Sequence, residues 1–307
     1  MLSTSSDLAQ AVRDIVHLHQ DLALPEAAPQ TELPGPAVFQ AALQACRQLG
    51  FVAADAECVA RAWACQAERL GRFDPAQWPT DPRDFSLAPW PRTQAFAECP
   101  KDLGLYAVLP DAAWVGRLAR AGVPTLQLRF KSEDAKAVER EVQAAVEAVR
   151  NTGAQLFIND HWQAALRAGA YGVHLGQEDL EDLSAAELAT LRESGMRLGL
   201  STHGYAEMLR ADTFSPSYLA LGAVFPTTLK RMATAPQGTG RLKRYAQLMA
   251  RYPLVAIGGI DVERLPDVLA SGVGSVAVVR ALVQADHPER TAADWMARMA
   301  EPQSWPR

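Results

Sequence analysis

The sequence predicts an α/β protein: a (β/α)8 TIM barrel preceded by a mainly helical N-terminal extension. Three observations carry that expectation. From residue 104 onward, short apolar runs alternate with helix-like segments eight times. The runs are continuous rather than alternating, as strands buried on both faces of a parallel sheet are. Polar and charged residues gather at the C-terminal ends of the runs, where a barrel keeps its chemistry. A doubly wound open sheet is the alternative, but no GxGxxG follows the first run.

The chain has 307 residues, long enough for one large barrel or two domains. Hydrophobic residues make up 49% of it, which supports a sizeable core. The formal net charge is −5 and no basic stripe alternates with aromatics, so a nucleic-acid partner is not expected. No apolar run approaches the roughly 20 residues needed to span a bilayer, so no membrane partner is expected either. The N-terminus lacks a basic segment followed by an apolar one and does not read as a secretory signal. Cys46, Cys58, Cys65 and Cys99 show no CxxC spacing and read as buried free thiols in a reducing cytoplasm.

In chain order, residues 1–100 form the extension and residues 101–307 the barrel. Helices are expected over 7–22, 38–49 and 56–70, where small and apolar residues recur at helical spacing. Residues 24–36 are proline-rich and expected to be irregular. Residues 74–91 are broken by five prolines and hold Trp78 and Trp90. Nothing in the extension supplies a phosphate loop or an acid–base pair. It is expected to pack on the barrel or on a second copy of the chain, and deletion of residues 1–95 is expected to leave detectable activity if the barrel remains soluble. The barrel strands are expected over 105–109, 125–130, 155–158, 172–175, 197–201, 218–224, 254–257 and 275–279.

The third and fourth strands organise the candidate site. Both end in an acidic tip, at Asp160 and Asp179, and a helix-like segment links them. A parallel crossover returns the chain in the same direction, so both tips share one edge. Each aspartate also precedes a helical segment and could serve only as its N-cap. Together they suit a hard divalent cation, Mg²⁺, carrying a phosphorylated substrate. Gln127, Arg129 and Lys131 alternate along the second strand and are expected to face one way. With Lys230 they make a cationic cup suited to a diphosphate. Gly258-Gly259 after the seventh strand suits a second, backbone-bound phosphate. His203 after the fifth strand is either a site group or a structural histidine. No Ser-His-Asp or Cys-His pair suggests a covalent route. Departure of a metal-bound diphosphate, with capture of the electrophile by a second substrate, is the expected chemistry.

These residues resemble a known family. Gln127-Leu128-Arg129-Phe130-Lys131, Asn159-Asp160, the run from Gly172-Val173-His174-Leu175 to Gly176-Gln177-Glu178-Asp179, Ser201-Thr202-His203, Phe225-Pro226-Thr227-Thr228-Leu229-Lys230 and Ala256-Ile257-Gly258-Gly259-Ile260 resemble thiamine-phosphate synthase, in that family's order, over about residues 103–300. The resemblance implies an Mg²⁺-dependent transferase joining a hydroxymethylpyrimidine diphosphate to a thiazole phosphate by a dissociative route. It implies that Gln127, Leu128, Arg129, Phe130, Lys131, Asn159, Ser201 and Lys230 bind the pyrimidine diphosphate, with Arg129, Lys131 and Lys230 catalytic. Asp160 and Asp179 would hold Mg²⁺. Thr227, Thr228, Leu229, Gly259, Val279 and Arg280 would line the thiazole phosphate site. Two positions depart from the family's pattern: Leu229 stands where a threonine is usual, and Arg280 where serine is commoner. Residues 37–70 resemble the last helices of a hydroxymethylpyrimidine phosphate kinase without its glycine-rich loop, so no kinase activity is expected. Two other readings stay open. One is a thiazole tautomerase-like enzyme of the same fold using His203, and the other a non-catalytic thiamine-precursor binding protein.

Overall fold

Three helices precede the barrel: α1 (Ser5–Leu18), α2 (Ala37–Gln48) and α3 (Ala53–Leu70). These bounds come from a computed structural model that describes residues 4–25, 34–227 and 234–301. Thr4 starts α1 with a reciprocal capping box, its hydroxyl accepting from Asp7 N at 3.1 Å and its own N–H donating to Asp7 at 3.0 Å. The predicted 7–22 helix therefore begins earlier and breaks at His19 into a short 3-10 turn over Gln20–Leu22. Helix α3 buries Asp55, Ala56, Val59, Ala60, Ala62, Trp63 and Gln66, the stripe that its 3.6-residue period dictates. Gly71 ends it in the left-handed conformation at φ 68°. Residues 74–91 contain no helix or strand, as their prolines require.

The barrel strands are β1 (Gly104–Leu109), β2 (Thr125–Leu128), β3 (Gln155–Asn159), β4 (Gly172–Leu175), β5 (Arg197–Thr202), β6 (Tyr218–Leu221), β7 (Leu254–Ile257) and β8 (Ser275–Val278). All are parallel, and they close in sequence order, β1 pairing β8. The helices between and after them are α4 (Ala112–Arg120), α5 (Ala135–Val149), α6 (Trp162–Ala168), α7 (Gln177–Asp182), α8 (Ala185–Glu193), α9 (Tyr205–Thr213), α10 (Gly238–Leu248), α11 (Leu265–Leu269), α12 (Arg280–Val283) and α13 (Pro288–Ala300). Three strands stop short of expectation. β2 ends at Leu128, though Arg129 N still bonds Leu109 O at 2.7 Å, β6 ends at Leu221 and β8 at Val278. The three-residue alternation expected of Gln127, Arg129 and Lys131 is thus cut: Lys131 lies in the loop.

Two apolar clusters hold the fold. One fills the barrel interior with Leu103, Tyr106, Val108, Phe157, Tyr218, Ala220, Val255 and Ala277. Gly199 makes room there, because a Cβ on it would lie 2.1 Å from the Tyr218 ring. The other runs between sheet and helices and continues without a break into the extension, including Ile15, Leu43 and Trp63. The extension is joined to the barrel by a set of rings. Trp78 stacks on Phe51 at 5.7 Å and donates its indole N–H to Tyr205 Oη at 3.0 Å. Phe85 stacks on Tyr205 at 5.4 Å.

All four cysteines are free, but only Cys46 is buried, and Cys65 is exposed on α3, contrary to the uniform burial expected. No helix among the described residues is long and apolar enough to cross a membrane.

Candidate active site

The β3 and β4 tips converge as expected. Gln127, pointing into the barrel from β2, donates its side-chain amide to Asn159 Oδ1 at 2.9 Å. Asp160 follows in the left-handed region at φ 63°, a conformation that Asp tolerates better than most residues. It is not the cap of α6; His161 holds that position. Asp179 does cap, its Oδ2 accepting from Gly176 N at 2.8 Å at the start of α7. The two carboxyls meet. Burial, then the charge of Asp179 and a hydrogen bond with it, push the Asp160 carboxyl above the ordinary carboxylate range, while His161 and Arg129 pull the other way.

Arg129 acts on this pair, and Lys131 follows it in the loop. Arg129 is half-buried and Lys131 exposed, and neither makes an ion pair or side-chain hydrogen bond among the described residues. His161 Nε2 sits 3.1 Å from Phe130 O and pins the loop that carries them to the β3 tip. Thr228, Leu229 and Lys230 lie outside the described residues.

A polar chain runs up the barrel interior. Tyr106 Oη and Tyr218 Oη are 2.7 Å apart, Tyr218 Oη and His174 Nδ1 2.7 Å, and His174 Nε2 and Ser201 Oγ 2.8 Å. The sequence suggested no serine–histidine pair, yet the fold makes one. Its third member is a tyrosine, not a carboxylate, and burial pushes the Tyr218 phenol well up. No carboxylate stands among these four groups, and the chain orients the Ser201 hydroxyl. Gln177 donates to Ser201 O at 2.7 Å and leaves its Oε1 buried without a partner.

The opposite rim is zipped tightly. Val224 N and Phe225 N donate to Ile257 O and Gly258 O at 3.0 and 2.9 Å. Gly258 and Gly259 have φ of 105° and 63°, and a Cβ on Gly259 would lie 2.5 Å from Pro226 O. Arg264 closes the rim, donating to Gly259 O at 2.6 Å with its guanidinium 4.6 Å from the Phe225 ring centroid. Val279 precedes α12 and exposed Arg280 begins it, so both stand at the β8 end as expected. His203 at the β5 end has Nδ1 2.7 Å from Glu207 Oε2, which also accepts the His203 N–H at 2.9 Å.

Sequence reading gave no role to His161, His174, Tyr218 or Arg264. His174 had a signal: it alternates with Gly172 on a strand, so it shares the inward face. Tyr218 begins β6 and faces inward by the same period, whereas His161 and Arg264 act through backbone carbonyls of the loops.

A closed (β/α)8 barrel with an acid pair, unpaired cations and a glycine-backed rim at its strand ends belongs to the class of barrel enzymes acting on small phosphorylated molecules. Residues 105–282 match the family model described as thiamine monophosphate synthase. The chain belongs to that family of transferases. It is 51% identical over 201 residues to a thiamine-phosphate synthase of Yersinia pestis (strain Pestoides F), covering 66% of this chain and 92% of that one. It is 51% identical over 187 residues to that of Neisseria meningitidis serogroup B, covering 61% and 90%. Among solved structures it resembles a thiamine phosphate pyrophosphorylase from Pyrococcus furiosus at a TM-score of 0.56 and 25% identity, covering 64% of this chain and 97% of that one.

Proposed function

We propose that this chain condenses a hydroxymethylpyrimidine diphosphate with a thiazole phosphate, releasing diphosphate and forming thiamine phosphate. One observation carries the reading: Asp160 and Asp179 meet at a half-buried rim with the Arg129 guanidinium acting on the same carboxyl. The mutual repulsion of the acid pair fits a hard divalent cation. The two carboxylates of Asp160 and Asp179 are the hard oxygen donors that would hold such an ion. Mg²⁺ held by Asp160 and Asp179 would supply charge neutralisation of the departing diphosphate.

The chain's own groups do the rest. Arg129 and Lys131 stabilise charge that develops as the methylene C–O bond breaks and the diphosphate takes the electron pair. Lys230 joins them. Gln127, Asn159 and Ser201 fix the pyrimidine, with Leu128 and Phe130 setting the strand and loop that frame it. The thiazole nitrogen then donates its lone pair to the methylene carbon. Thr227, Thr228, Leu229, Gly259, Val279 and Arg280 are assigned to the thiazole phosphate side. Residues 101–307 carry this chemistry, and the four free thiols support a cytoplasmic setting.

The test mixes the purified protein with both precursors, with and without Mg²⁺, and follows thiamine phosphate by oxidation to fluorescent thiochrome. Mg²⁺-dependent product supports the reading. A folded protein that gives none would move a tautomerase-like or precursor-binding role to the front.

A further inference from the structure

The extension reaches the active-site face at one charged residue. Asp55, in the first turn of α3, is 4% exposed. Its Oδ1 accepts the N–H of Ala206, in the first turn of α9, at 2.8 Å. That helix begins straight after residues 201–203, which carry Ser201 and His203. Its own N-cap is Gly204, which has no side chain to offer. A Cβ on Gly204 would lie 2.0 Å from Asp55 Oδ2. The cap that α9 lacks in its own sequence is therefore supplied from about 150 residues away, in the space a cap side chain would fill.

A second anchor sits on the next helix. Arg241, in the first turn of α10, is 2% exposed. It donates to Leu22 O at 2.9 Å and Leu49 O at 2.8 Å, and its guanidinium lies 3.6 Å from the Phe51 ring centroid. Helix α10 begins just beyond the loop that follows β6. Gln237 N and Gly238 N tie its start to Ala223 O and Val224 O at 2.9 Å each. The extension thus grips the two barrel helices that follow the β5 and β6 tips.

We propose that residues 1–100 are a positioning element for the active site, with Asp55 as the positioning residue: it caps α9 from outside the barrel and holds residues 201–203 in register with the β4 tip. The link to the site is continuous. Glu207 in that same first turn holds His203 through backbone and ring, and Ser201 is held by His174 and Gln177. Release of the α9 start would free one side of Ser201 while the other stays fixed.

The kinetic readout rests on the synthase reading, and the exchange readout does not. Four full-length proteins are compared: wild type, Asp55→Ala, Asp55→Asn, and Asp55→Ala combined with Gly204→Asp. The backbone of Gly204 is extended at φ 179°, open to any residue once Asp55 is gone. The readouts are kcat and KM for both precursors and hydrogen exchange at the first α9 amides. Asp55→Ala is expected to lower kcat by about 10–10²-fold, the scale of a misplaced site, with a smaller change in KM and faster exchange at Ala206. Asp55→Asn keeps an acceptor oxygen and should stay within about threefold of wild type, since Asn caps about as well as Asp. The double variant restores a cap within the barrel itself and should recover both readouts. Should Asp55→Ala fail to fold, the Asn and double variants still decide the matter. Unchanged exchange and kcat in Asp55→Ala would overturn the proposal, and so would a double variant that regains protection without regaining kcat. No product from wild type would sink the synthase reading, while the exchange comparison would still decide whether Asp55 holds α9.

Discussion

Ser201 Oγ lies 2.8 Å from His174 Nε2, and the other imidazole nitrogen faces a tyrosine hydroxyl instead of a carboxylate. The pair resembles a nucleophile and its base only in part. A serine oriented for binding loses one hydrogen bond when removed, so Ser201→Ala should lower kcat/KM by about 10–10²-fold, the scale of one contact. Mass spectrometry of the enzyme during turnover should show no adduct. An adduct on Ser201, or complete loss of activity in the variant, would argue for a covalent route.

Asp160→Asn should separate folding from metal response. Asn accepts the left-handed φ of 63° at this position and removes the like-charge contact with Asp179. The variant should therefore melt higher than wild type when no divalent cation is present. Added Mg²⁺ should raise the melting temperature of wild type and leave that of the variant unmoved. Turnover should fall at least about 10²-fold. Equal Mg²⁺ shifts in the two proteins would remove Asp160 from the metal site.

Lys131→Ala takes away an exposed cation that makes no ion pair or side-chain hydrogen bond among the described residues. Stability should change by less than about 0.5 kcal/mol, as at an ordinary surface position. Turnover should nonetheless drop by about 10²-fold or more if the ammonium meets the leaving group. A near-normal rate, measured by thiochrome fluorescence, would contradict its role.

Asp55 gives a pH prediction. Burial pushes its carboxyl from 3.8 up to about 6. The folded state therefore binds this proton more tightly than the unfolded chain. The contribution favours folding most below about pH 4 and is lost as the pH rises through about 6. Asp55→Asn mimics the protonated form. It should be more stable than wild type at pH 8 by about 1–3 kcal/mol, with the gap closing toward pH 4. Urea midpoints at the two pH values would show it, and a pH-independent gap would refute it. A residue that costs stability at neutral pH yet sits at the active-site face is consistent with a positioning role.

Arg92 tests the lower seam. Its Nη2 donates to both carboxylate oxygens of buried Asp212, at 2.7 and 2.6 Å, and Tyr252 Oη donates to the same carboxylate at 2.8 Å. Arg92→Ala leaves that carboxylate without its cation and should cost about 3–5 kcal/mol. Deleting residues 1–95 would do this and also uncover Tyr205, Tyr245 and Arg241. The truncated barrel is expected to be insoluble or to melt far below the full chain, so the condition under which the sequence suggested activity would not be met. A stable, soluble truncation would show that the seam is dispensable.

The barrel was legible because its strands are continuous apolar runs and its chemistry sits at their ends. Asp160, Asp179 and Gly259 stand at strand tips and could be placed by counting residues. The reach of β2 and β6 was less legible, because Arg129 keeps a ladder bond after the strand geometry has ended. Asp55 and Arg241 were not legible at all. Each reads as an ordinary charged residue on an amphipathic helix, and its partner lies over 150 positions away. The chain of Tyr106, Tyr218, His174 and Ser201 was half-visible: period two turns each member inward, but only closure of the barrel brings β1, β4, β5 and β6 around one axis.

The grip of the extension on α9 and α10 sets a problem of timing. Asp55 waits for a residue made 151 positions later, and Leu49 for one made 192 positions later. During synthesis the first hundred residues leave the ribosome with Phe51, Trp63 and Trp78 able to pack on one another but without Arg241 and Tyr205, which complete their cover. At about 5–20 residues per second that interval lasts on the order of ten seconds or more. The segment made first thus completes its contacts only once α9 and α10 have been made.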